Sequence, residues 1–121
     1  MSDIFASMQG NNRRHQSFFQ QMSPAKQQEF LQQLKLEYRR IILDYFVGEV
    51  TLKQNIDIFT NAAFSTHLPT LQIIEIHIEL IEEFSKQLKL EGRSDEVLLD
   101  YRLTLIDVLA NLCEIYRCAS K

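Results

Sequence analysis

The stretch LLDYRLTLIDVLANLCEIYR, from Leu98 to Arg117, decides the fold. At about 100° per residue its polar positions Asp100, Thr104, Asp107, Asn111 and Glu114 crowd into one narrow strip, and nearly everything else is apolar. Leu98, Tyr101, Leu105, Val108, Leu112 and Ile115 make one stripe, while Leu99, Leu103, Ile106, Ala110 and Cys113 make another. Such a helix is either central in its own domain or partly buried by a second chain. A four-helix bundle has no central member, so the sequence predicts a homodimer.

Working outward, LKLEGRSDEV (Leu88 to Val97) reads as the hairpin before that helix. Gly92 supplies the left-handed conformation that closes one helix, Ser94 can cap the next, and Asp95 and Glu96 suit its positive end. The last helix is therefore expected over Asp95–Arg117, and the one before it from Pro69 and Thr70 to Leu90. Thr51 and Gln54 have capping-box spacing, so a shorter helix should start there, bury Leu52, Ile56, Phe59 and Ala63, and fail near Ser65. Ser23 before Pro24 starts a first helix to about Phe46, with a stripe of Phe30, Leu31, Leu34, Tyr38, Ile41, Ile42 and Tyr45. Gly48 ends it. Behind that stripe Leu36, Leu43 and Val47 form a second seam, flanked by Arg39 and Arg40.

The expectation is an all-α, four-helix bundle over residues 24–121, homodimeric, with antiparallel neighbours and a flexible polar arm over residues 1–23. In the arm, Phe18 and Phe19 are a pair able to dock, and Arg13, Arg14 and His15 read as a solvated basic knot. Composition agrees, with 45% hydrophobic residues, three Gly, two Pro and no Trp in 121 residues. A net charge of −3 argues against a nucleic-acid partner. No leader pattern and no apolar run of about 18 to 20 residues is seen, so no membrane partner is expected and the chain reads as cytoplasmic. Cys113 and Cys118 read as reduced thiols.

No reactive constellation stands out. Arg102 falls in the apolar arc of the last helix, where it should meet a carboxylate, with Glu83 the intrachain choice, or water in a groove. His77 lies among Ile73, Leu80, Ile81 and Phe84 and reads as a hydrogen-bonded core histidine. No histidine follows a Glu by three residues, and Glu75, Glu79, Glu82 and Glu83 read as a solvated face. HExxH, phosphate-loop and GxSxG motifs are missing. The expectation is a binding or regulatory module, not an enzyme, with no cofactor or metal. The alternatives are a bare structural dimerisation module or a small helical metal-binding protein using His77 and the glutamates of the third helix.

FSKQLKLEGRSDEVLLDYRLTLIDVLANLCEIYR, with EIHIELIEE before it and KQQEFLQQLKLEYRRIILDYF near the start, resembles the carboxy-terminal domain of the KaiA family of cyanobacterial circadian-clock regulators. The likeness covers about Pro24 to Arg117. It implies a homodimeric four-helix bundle that binds the carboxy-terminal tail of KaiC, stimulates KaiC autophosphorylation and is antagonised by KaiB. Many family members carry a receiver-like domain before this bundle, so the resemblance is to a short form with a polar arm in that place. Under the resemblance, Glu91, Arg93, Arg102, Asp107 and Asn111 are the candidates for contact with the KaiC tail. Leu36, Leu43, Leu105, Leu109, Leu112 and Tyr116 are those for the dimer interface. The family more often has His where this chain has Asn111.

Overall fold

The computed structural model describes residues 18–48, 50–92 and 98–120. Four α-helices follow a short 3-10 turn at Phe19–Gln21: α1 Pro24–Val47, α2 Leu52–Ser65, α3 Thr70–Leu90 and α4 Leu98–Ala119. No strand occurs among the described residues. None of the described helices is long and apolar enough to cross a membrane.

Local chemistry sets most of the helix ends. The Ser23 hydroxyl accepts the Lys26 amide at 3.2 Å, and Pro24 occupies the first turn of α1. Gly48 closes α1 and Gly92 follows α3, both at φ +71°, where a side chain would be strained. At the end of α2 the left-handed residue is His67, with φ +53°. The Leu68 amide donates to Ala63 O at 2.9 Å and the His67 amide to Phe64 O at 3.1 Å, which makes a Schellman cap with histidine in the usual glycine position. The capping box expected at Thr51 does not form. Thr51 makes no side-chain cap, and its hydroxyl instead donates to Asp44 Oδ2 at 3.1 Å, where Asn55 Nδ2 also donates. That carboxylate ties the end of α1 to the start of α2.

Tyr38 on α1 meets Phe59 on α2, while Asp44 meets Asn55, so the first two helices are antiparallel. Phe84 of α3 packs on Tyr101 of α4, near the hairpin that joins them. Between hairpins the like-numbered members run parallel. Lys35 bridges to Glu79 and Arg39 to Glu83 across α1 and α3, and Asn111 and Tyr116 of α4 meet Thr60 and Phe64 of α2. The domain is thus two antiparallel hairpins laid on one another, with α1 also touching α4 through the middle. Leu34, Tyr38, Ile41, Ile42, Phe59, Ile73, Leu80 and Val108 are fully buried between them. Each such aliphatic side chain contributes about 1.5–3 kcal/mol relative to exposure.

Two residues of the expected arm pack against the bundle. Phe19 is buried, its amide donates to Thr66 O at 2.7 Å, and its ring lies 6.3 Å from that of Phe30. Phe18 stacks on His67 with centroids 4.1 Å apart. The expected cap at Ser94, with Asp95 and Glu96, lies outside the described residues.

Candidate functional site

A helix with apolar residues nearly all round can be set in a bundle at several rotations, and its polar side chains decide between them. In α4 Tyr101, Thr104, Val108 and Leu112 are buried, and Asn111 is half-buried. Asn111 Nδ2 donates to Thr60 Oγ1 at 2.7 Å and to Asp57 Oδ1 at 3.2 Å, while Thr60 Oγ1 donates to Ile56 O at 2.8 Å. Lys53 Nζ lies 2.9 Å from the same Asp57 oxygen. The polar strip read from the sequence is therefore split. Thr104 and Asn111 face the subunit's own core because α2 offers polar partners there, whereas Asp107 and Glu114 are exposed.

This rotation leaves the second apolar stripe outward. Leu103 is 47% exposed and Ile106 58%, with Ala110 and Cys113 also exposed on the same side. Helical geometry puts Arg102 and Asp107 on opposite shoulders of this seam. On α1, Leu36, Leu43 and Val47 are likewise exposed along one line. Both helices therefore carry a line of apolar side chains that the described residues do not cover.

Of the residues expected at a partner site, Glu91, Arg102 and Asp107 are exposed, Asn111 is tied to α2, and Arg93 lies outside the described residues. The Arg102–Glu83 pair does not form. Glu83 instead takes Lys35 at 3.0 Å and Arg39, which holds its carboxyl below the usual range and the Lys35 ammonium above its own. Arg39 also lies over the Phe84 ring, 5.4 Å from its centroid. Glu79 and Glu83, read as solvated, thus join α1 to α3. Among the interface candidates Leu36, Leu43 and Tyr116 are exposed, and Leu105 and Leu109 are half-buried. Leu112, at 4% exposure, is buried within the single subunit.

His77 is the core histidine its neighbours implied. Its Nδ1 lies 2.8 Å from the Tyr38 hydroxyl, and burial pushes the imidazole down and the phenol up from their ordinary values. Among the described residues no cluster of His, Cys, Asp and Glu is arranged to hold a metal ion.

Residues 8–120 match the model of the KaiA C-terminal domain family. A circadian clock oscillator protein KaiA from Nostoc sp. is 63% identical over 93 residues, covering 77% of this chain and 91% of that protein. The KaiA of Thermostichus vulcanus is 53% identical over 100 residues, or 83% of this chain, but the match spans only 35% of that longer relative. Among solved structures, the C-terminal domain of Thermosynechococcus elongatus BP-1 KaiA superimposes with a TM-score of 0.71 at 52% identity, covering 82% of this chain and 93% of that one. The Kai A structure from PCC7120 gives a TM-score of 0.67 at 58% identity, covering 77% and 94%.

Proposed function

The chain belongs to the KaiA C-terminal domain family of circadian clock proteins, and from that premise we propose that it is a cytoplasmic clock regulator with no chemistry of its own. Two copies pair, hold the carboxy-terminal tail of KaiC and raise KaiC autophosphorylation until KaiB intervenes. The observation that carries this reading is the outward seam of α4, where Leu103 and Ile106 lie in water in a single subunit. Pairing would cover the seam, and Arg102 and Asp107 on its shoulders, together with Glu91 and Arg93, are the candidates for contact with the KaiC tail. Leu36, Leu43, Leu105, Leu109 and Tyr116 are the further candidates for burial between the copies.

The regulation is a population shift. A protein that binds a released tail better than a folded-back one moves KaiC towards the released state by that difference in affinity, about 1.4 kcal/mol for each tenfold. KaiC supplies the kinase chemistry, so the clock partner needs only a shaped apolar groove with a few polar anchors.

The test is KaiC autophosphorylation with and without this chain, beside calorimetric titration of a KaiC tail peptide. Stimulation with micromolar peptide binding is the expected result. A dimer that neither binds the peptide nor changes phosphorylation would reduce the chain to a dimerisation module.

A further inference from the structure

One end of the bundle carries a row of aromatic rings in contact. Phe18 lies on His67 with centroids 4.1 Å apart and planes 13° from parallel, His67 meets Phe64 at 6.5 Å, and Phe64 meets Tyr116 edge to face at 4.8 Å. The row starts in the turn ahead of α1, crosses the α2–α3 corner and ends in the last turns of α4. Its two end members reach solvent, Phe18 at 43% exposure and Tyr116 at 40%. Tyr116 follows Cys113 of the outward α4 seam by one helical turn.

The middle of the row is the left-handed residue. At φ +53° His67 occupies a region that costs an L side chain energy unless its surroundings impose it. The cap bonds of Leu68 and His67 hold its backbone, and the Phe18 ring covers its imidazole. The turn that supplies Phe18 is anchored chiefly at Phe19, whose ring is buried, whose amide donates to Thr66 O at 2.7 Å and whose carbonyl accepts Gln27 Nε2 at 2.9 Å. Burying that ring and part of Met22, with two hydrogen bonds, is of the same order as the conformational entropy lost in fixing Phe18–Met22. Such a segment sits near balance between docked and released.

We propose that Phe18–Met22 is a strap that positions Tyr116 from across the α2–α3 corner, with Phe18 acting through His67 and Phe64. Docked, the strap completes the row and holds the Phe64 edge against Tyr116. Released, it uncovers His67, which then leaves the left-handed region, loosens its bond to the Phe64 carbonyl and lets the Phe64 ring move off Tyr116. The outward end of α4 thus follows the state of the turn ahead of α1. Only the consequence for pairing rests on Tyr116 being a contact between copies.

Phe18→Ala in the full chain removes the exposed ring and leaves Phe19 in the core, which tests this. The ring resonances of Tyr116 are expected to shift while those of Tyr101, at the other end of α4, stay in place. Amide exchange in residues 113–119 is expected to rise about threefold or more, with residues 38–45 unchanged. Phe64→Leu cuts the row, so adding Phe18→Ala to it should move Tyr116 no further; His67→Gly, which suits the left-handed cap without a ring, serves the same purpose if Phe64→Leu does not fold. Tyr116 unmoved by Phe18→Ala overturns the proposal, and so does an equal shift with the row already cut. A shift that fades on dilution also overturns it, since pairing alone would then have moved the ring. Sedimentation of Phe18→Ala is read separately: Tyr116 displaced with pairing unchanged supports the strap and removes Tyr116 from the interface candidates.

Discussion

The Tyr38 hydroxyl and His77 Nδ1 lie 2.8 Å apart, joining α1 to α3 inside the core. Tyr38→Phe leaves the imidazole nitrogen without this partner and is expected to cost about 1–3 kcal/mol. Combining it with His77→Leu should recover part of that loss, since neither polar group then remains. Urea denaturation of the double-mutant cycle gives the coupling.

The same pair sets a pH response. Burial holds the His77 pKa below its ordinary value, so between the folded pKa and about 6.5 the unfolded chain binds more protons than the folded one. The stability from neutral His77 is therefore present above about pH 6.5 and lost as pH falls through the depressed folded value. Urea midpoints measured from pH 7.5 to 5 should fall, and this component should be missing from Tyr38→Phe/His77→Leu.

Glu37 has the opposite sign. Its Oε1 is buried with no hydrogen-bond partner among the described residues, and burial raises its pKa. Ionised Glu37 opposes folding as pH rises through the unfolded value. Glu37→Gln should raise the unfolding free energy at pH 7 by less than about 1 kcal/mol, discounted because the group is half-buried. The gain should disappear near pH 4.

Thr104 is fully buried, and its Oγ1 has no hydrogen-bond partner among the described residues. Thr104→Val keeps the shape and removes the orphan hydroxyl, so thermal melts should show a gain of about 1 kcal/mol. Asn111→Ala cuts the ties to Asp57 and Thr60 and should lose about as much.

Ile106→Asp places a charge on the outward seam of α4, where the side chain is 58% exposed. Chain folding should change by no more than about 0.5 kcal/mol. Sedimentation equilibrium should show pairing weakened by tenfold or more. Unchanged association would move the proposed interface off this face.

The helix ends were legible because their signals are local: Ser23 with Pro24, Gly48, Pro69 and Gly92 each act on the neighbouring turn. The apolar circumference of α4 was legible too. Its rotation was not, because that depended on the polar side of α2, where Asp57 and Thr60 wait for Asn111 across 54 and 51 residues of sequence. Periodicity within one helix cannot report a partner on another. Arg102 and Glu83 were matched by cost alone, while Lys35 and Arg39, in step with Glu79 and Glu83 along a parallel neighbour, had the better geometry. Thr51 misled because Asp44 offers its hydroxyl a carboxylate.

The bond from the Phe19 amide to Thr66 has a mechanical consequence. Tension applied to the chain ahead of Phe18 is borne first by the α2–α3 corner, through the Phe18–His67 stack and this bond, and only afterwards by the opening turn of α1. A tug from upstream would therefore strain the joint between the two hairpins while the first helix stayed wound.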